Sequence, residues 1–252
     1  MHNLKPKKYL GQHFLRDLNV ARRIAETLSV PEGTDVFEIG PGEGVLTRLL
    51  LDIHPKVHVV EIDVEAVQLL RKTFSPEQVH IIHQDVLRWK PESKTPIGLI
   101  GNLPYNISSP FFFQVIEYRD QIHEGVFMIQ KEVAERIAAP HGNKTYGILS
   151  VLMQTYFEVT YEFSVPPNVF HPPPKVMSGV LKIVPRIAAS DVPFATLKRV
   201  VKQAFSQRRK TLRNALKGVS FEAFEEQEVW WKKRAEELSV DQYAHLARHI
   251  LP

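Results

Sequence analysis

Four short apolar runs between residues 34 and 101 each stop at or just before a glycine, a carboxylate or an amide, and helical periodicity fills the gaps. The runs are 34–39, 56–62, Val79–His83 and 97–101, with Gly40, Glu61, Asp85 and Asn102 at or just past their ends. Runs of about five residues without polar alternation are strands covered on both faces, and such strands form a parallel sheet joined by helices. Residues 45–52 and 64–73 supply helices of the required period. A fifth strand is expected over 125–130, then helices over 131–138 and 146–155. Segments 157–165 and 176–184 read as a terminal strand pair. The stretch between them, 166–174, holds five prolines; proline donates no ladder hydrogen bond, so this stretch belongs at an edge or a rim. Beyond a linker at 185–193 the pattern is purely helical, over 194–206, 207–216, 221–234 and 240–250. The expected fold class is α/β, a Rossmann-like sheet domain over residues 1–186 followed by a small all-α domain over 187–252.

The strand ends carry the candidate chemistry. Gly40, Gly42 and Gly44 follow the first strand, and glycines there let the backbone approach a ligand beyond the sheet. Glu61 ends the second strand and can accept from two ribose hydroxyls; Asp85, past the third, can accept from an adenine amine. The alternative for both is a cap on the helix that follows. A dinucleotide fingerprint needs its third glycine three residues after the second, and here it comes after two. Glu38-Ile-Gly-Pro-Gly42 with two more acidic strand ends suits S-adenosylmethionine better, because that cofactor has no pyrophosphate and carries a positive sulfonium.

Asn102-Leu103-Pro104-Tyr105 follows the fourth strand. An adenine exocyclic amine is a poor nucleophile, since its lone pair is delocalised into the ring. The Asn102 side-chain oxygen and the carbonyl of Leu103 or Pro104 can accept both amine hydrogens and free that lone pair for in-line attack. Pro104 fixes the turn, and Tyr105 offers a stacking face. The alternative is an ordinary turn with a packed aromatic.

Charge and composition narrow the partners. The formal net charge is only +4, but residues 195–218 hold eight basic residues and no acidic one, Arg208, Arg209 and Lys210 among them. Such clustering fits either nucleic-acid phosphates or a solvated helix face. The chain has no cysteine, which excludes disulfides and thiolate metal sites. His80 and His83 fall on opposite faces of a strand, so no metal is expected. No apolar stretch approaches the ~18 residues of a membrane span, and the basic start lacks the apolar core of a secretory signal.

Together these pieces resemble one family, the ribosomal RNA adenine dimethyltransferases. The matching segments are Gly11-Gln-His-Phe-Leu15, Glu38-Ile-Gly-Pro-Gly42, Asn102-Leu-Pro-Tyr-Asn-Ile-Ser108, Phe127-Met-Ile-Gln-Lys-Glu132, Tyr146-Gly147, Pro172-Pro-Pro-Lys-Val176, the run from Ala204 to Asn214, and Arg234 to Ser239. The resemblance implies S-adenosylmethionine as cofactor, contacted at His13, Leu15, Gly40, Glu61, Asp85 and Asn102. The family often has Asn where this chain has His13, so the backbone contact is carried over and the side-chain role is not. Phe170, with Pro172–Pro174, is implied as a wall of the target-base pocket opposite Tyr105, and Arg208, Arg209 and Lys210 as rRNA contacts. The implied reaction is dimethylation of two neighbouring adenosines in the 3′-terminal hairpin of small-subunit rRNA, within a pre-ribosomal 30S particle, by a cytoplasmic monomer that binds no membrane. Three other readings stay open: a large-subunit rRNA methyltransferase of the antibiotic-resistance type, a non-catalytic ribosome assembly factor, and a nucleotide-dependent oxidoreductase.

Overall fold

The computed structural model describes residues 4–187 and 191–251. Nine strands are seen among them: β1 (Phe14–Leu15), β2 (Val36–Ile39), β3 (Val57–Glu61), β4 (Val79–His83), β5 (Ile97–Asn102), β6 (Ile122–Gln130), β7 (Phe157–Val165), β8 (Phe170–His171) and β9 (Ser178–Pro185). Seven of them form one sheet in the order β4-β3-β2-β5-β6-β9-β7. The pairs from β4 through β6 are parallel, whereas β9 runs antiparallel to β6. The fold is thus the expected Rossmann-like α/β sheet, with the late pair at one end. All four residues of β2 are buried, the signature of a strand covered on both faces.

Helices cover the sheet with faces written into their spacing. Leu18–Thr27 buries Ala21, Ile24 and Ala25, and the Asp17 carboxylate caps its start by accepting from the N–H groups of Asn19 and Val20. These apolar faces join Val36, Leu50, Val57, Val59, Leu70, Val126 and Val180 in one core. Burying each Val, Leu or Ile side chain among them is worth about 1.5–3 kcal/mol.

The proline-rich stretch stays out of the main sheet, as its missing donors require. Its Phe170–His171 pairs antiparallel with β1 instead, Phe14 opposite His171 and Leu15 opposite Phe170. Two-residue strands show no alternation, so neither is legible as a strand in the sequence.

Contacts divide the chain into two units. One is Met1–Ala134 with Thr160–Pro185; the other is Glu135–Val159 with Arg186–Pro252. The second unit therefore takes in residues 135–159, which a split at residue 186 leaves in the first domain. In that unit Phe194–Ser206 buries Leu197, Val200, Val201 and Ala204, one face of a helix. Ser239 caps Val240–Arg248 by accepting from the Gln242 N–H. The helices expected over 207–216 and 221–234 shrink to Leu212–Ala215 and Gln227–Trp231. Their flanks pair elsewhere, Thr211 with Arg234 and Phe221 with Ile250 in isolated bridges. Trp230 serves packing: it is buried, with Phe224 at 5.1 Å. Among the described residues no helix is long and apolar enough to cross a membrane.

Candidate active site

The C-terminal ends of β2, β3 and β5 and the turn after β4 converge on one cavity of about 210 Å³ in the first unit. Gly40, Glu61, Asp85, Asn102, Pro104 and Tyr105 all line it. The turn after β2 puts Gly40, Gly42 and Gly44 at φ of +68°, +55° and +76°, the left-handed region that disfavours side chains. At Gly42 a Cβ would also lie 2.9 Å from the Phe14 ring. The glycines thus keep the turn low and the cavity open.

Glu61 is 6% exposed. Its carboxylate accepts from the N–H groups of Gly42 at 3.1 Å and Asp63 at 2.8 Å, and burial raises its pKa. The cap of the following helix is Asp63, which accepts from the Glu65 N–H at 3.0 Å. Glu61 is therefore released from that capping task and keeps lone pairs for a ligand. No helix follows Asp85; one oxygen accepts from the Leu87 N–H at 2.9 Å in a turn while the residue lines the cavity. Glu38 also lines it; buried, and taking a 2.5 Å hydrogen bond from the Thr47 hydroxyl, it has its pKa pushed up to about 8 by desolvation.

At the turn after β5, the Asn102 amide nitrogen donates to the His13 carbonyl at 3.0 Å. That bond fixes which end of the amide is oxygen. The Pro104 carbonyl already accepts from Ile107 at 3.1 Å, whereas no N–H among the described residues donates to the Leu103 carbonyl. Asn102 Oδ1 and the Leu103 carbonyl are thus the acceptors left for a ligand. The imidazole of His13 stands 5.6 Å from the Tyr105 ring, tilted by 32°. Its Nδ1 lies 2.7 Å from the Pro172 carbonyl; a carbonyl only accepts, so Nδ1 carries the hydrogen.

The residues before Gly11 carry no site signal in the sequence. Lys7 Nζ lies 2.6 Å from Asp63, and the Gln12 amide donates to the same carboxylate at 2.8 Å. These bonds pin residues 7–12 to the end of β3, so that Tyr9 to His13 line the cavity. No periodicity marks such a strap, because its partners lie some fifty residues on.

Two of the candidate residues are held by partners far along the chain. Phe170 is 5% exposed and packs in the core with Leu15; it does not line the cavity, and its pairing with β1 is what covers it. Arg208 is engaged by its own unit, donating to the carbonyls of Tyr146, at 3.0 Å, and Lys144, with the Glu236 carboxylate 3.8 Å away. Its guanidinium ties these carbonyls together while the side chain stays exposed. Arg209 and Lys210 are exposed, with no ion pair among the described residues. Among those residues, no group of three or more His, Asp or Glu is placed to hold a metal.

A cavity walled by acceptors and a glycine turn suits a ligand rich in hydroxyls and amines with a positive centre, and so fits S-adenosylmethionine. Comparison with known proteins agrees. The family model described as ribosomal RNA adenine dimethylase matches residues 3–251. The chain is 46% identical to a ribosomal RNA small subunit methyltransferase A of Flavobacterium johnsoniae, over 99% of this chain and 97% of that one. It is 48% identical to the protein of that name in Porphyromonas gingivalis, over 98% of each. In fold it resembles a dimethyladenosine transferase from Plasmodium falciparum, with a TM-score of 0.82, 24% identity, and coverage of 94% of this chain and 99% of that one. It also resembles the 23S rRNA methyltransferase ErmE, with a TM-score of 0.75, 24% identity, and coverage of 93% and 98%.

Proposed function

The chain belongs to the ribosomal RNA adenine dimethylase family, and on that premise we propose that it dimethylates two adjacent adenosines in the 3′-terminal hairpin of small-subunit rRNA. It is an S-adenosylmethionine-dependent rRNA methyltransferase. The acting species in this reading is a monomer in the cytoplasm, and the substrate is a pre-ribosomal 30S particle. The observation that carries it is the Asn102 amide, whose nitrogen is held by the His13 carbonyl.

When bound, the cofactor supplies an electrophilic methyl group on a sulfonium. The glycine turn at Gly40 gives it room, Glu61 takes its ribose hydroxyls, Asp85 takes its adenine amine, and Leu15 with the His13 backbone closes the near side. In the first transfer Asn102 Oδ1 and the Leu103 carbonyl accept the two hydrogens of the target amine, and in the second one of them accepts the single hydrogen left, which each time draws the nitrogen lone pair out of conjugation. Pro104 holds that turn rigid, and Tyr105 presents its ring to the unstacked base. No strong base is needed, because the cation formed by each transfer is acidic and sheds its proton late, to water.

Small ribosomal subunits and their precursors from a strain lacking the gene, treated with the protein and labelled cofactor, should yield one rRNA fragment with two adjacent dimethyladenosines by mass spectrometry. Label appearing only in large-subunit rRNA, or in neither, would overturn the assignment.

Two further outcomes are expected. Glu61→Ala should weaken cofactor binding by about tenfold or more, since a buried carboxylate making ligand hydrogen bonds contributes about 1.5–3 kcal/mol; calorimetry with an unchanged Kd would remove Glu61 from the ribose. Replacing Arg209 and Lys210 with glutamine should weaken rRNA binding across sequences and lower the slope of log K against log salt by about one for each phosphate no longer neutralised. Arg208→Gln should instead lower the melting temperature, and a salt slope that falls as much for Arg208 as for Arg209 would contradict that division.

A further inference from the structure

We infer that Ser178 is a positioning residue for the target base, fixing the ring plane of Tyr105 through a hydroxyl pair. The inference rests on the reading of Tyr105 as the platform for that base. Tyr105 Oη and Ser178 Oγ share a hydrogen bond of 2.7 Å. Ser178 is fully buried, with 0% exposure. It opens β9, opposite Gln130 in the antiparallel pair with β6, and its neighbour Met177 accepts the Lys131 N–H at 2.9 Å. Its hydroxyl is thus mounted on the main sheet rather than on a loop.

Tyr105 needs such a mount. It sits in a single turn, Tyr105–Ile107, directly after Pro104, and its side chain is only half-buried. A ring held at Cβ alone swings about two torsions, and the swing moves its far end most. Anchoring the hydroxyl fixes that end, while the His13 ring 5.6 Å away bounds one side. His13 is itself held by the Pro172 carbonyl. Residues 172–178 therefore support the platform from behind, with no residue of that segment having to touch the base.

The hydroxyl pair has a chemical corollary. Burial raises the Tyr105 phenol above its ordinary pKa, and its oxygen is occupied by Ser178. Tyr105 then contributes a face and not a proton, so Phe at this position should fail only through lost alignment. A ring misplaced by about an ångström is enough to cost one to two orders of magnitude in rate.

The test is a double-mutant cycle of Ser178→Ala and Tyr105→Phe, with Tyr105→Ala as reference. Each single variant should lower kcat about tenfold with the cofactor Kd held within about twofold, and the double variant should be no slower than either, because both remove one bond. Stacking is read directly with 2-aminopurine at the target position of the rRNA. Its fluorescence should be quenched by the parent chain, partly by both single variants, and not by Tyr105→Ala. Independent effects that multiply to about a hundredfold, or full rate and full quenching in Tyr105→Phe, would overturn the role of Ser178. If Ser178→Ala does not fold, Tyr105→Phe alone decides by the same two readouts. Parent-like activity and quenching in Tyr105→Ala would instead sink the platform reading itself, a separate result.

Discussion

An Asn102→Ala variant is expected to transfer methyl groups about a thousandfold more slowly than the parent chain, the scale seen when one preorganised hydrogen-bond partner of a transition state is removed. Binding of rRNA should be nearly unchanged, because the exposed cations of the second unit provide the bulk of the affinity in this reading. Asn102→Asp tests the amide more finely. A carboxylate has no N–H for the His13 carbonyl, which now receives that hydrogen at 3.0 Å. Two acceptors would then face each other, and the side chain would turn away from the amine. Single-turnover transfer in the two variants should therefore fall by similar factors. Full activity in Asn102→Ala would dismiss the proposed grip on the amine.

Gly101→Ala should be among the most destabilising single changes in the first unit, by about 3 kcal/mol or more, lowering Tm by roughly 10 °C. Gly101 sits opposite Ile39 in the parallel pair of β5 with β2. A Cβ there would lie 2.5 Å from the Ile39 carbonyl oxygen and 3.3 Å from its carbon. Those are backbone atoms in the middle of a sheet and cannot rotate aside. Gly98→Ala, in the same strand, is the control. Its Cβ would meet a Val30 methyl at 3.1 Å, and a side chain can yield a few tenths of an ångström. Thermal unfolding should rank Gly101→Ala well below Gly98→Ala, and equal Tm values would refute the backbone clash. The close approach also matters for chemistry, since it sets the Gly40 turn and Asn102 side by side at the ends of adjoining strands.

The sheet and the cavity floor were legible because their signals are local. Gly40, Glu61, Asp85 and Asn102 follow apolar runs directly, and a strand end points its neighbours at whatever lies beyond it. What was not legible depends on partners far along the chain. Phe170 looks like a free aromatic beside prolines until its pairing with Leu15 covers it. Arg208 looks like its neighbours Arg209 and Lys210 until the Tyr146 and Lys144 carbonyls claim it. Asp63, which no sequence signal singled out, caps the helix it precedes and also takes Lys7 and Gln12. The grouping of residues 135–159 with those beyond 186 is hidden for the same reason: helix Ile148–Tyr156 precedes the last strands in sequence but packs with Phe194–Ser206, as the Tyr156 and Phe194 rings 6.3 Å apart indicate.

The miniature ribbon of β1 and β8 has a bearing on how the enzyme comes into being. Its two halves, Phe14–Leu15 and Phe170–His171, leave the translating ribosome far apart in time, and closing so long a loop is slow relative to forming neighbouring contacts. A nascent chain can lay down β2 to β5 with their glycines and carboxylates well before that ribbon zips shut. The cover over Phe14 and Leu15, which line the cavity from one side, is thus a late event in biosynthesis, completed once the proline-rich stretch has been made and has paired with them.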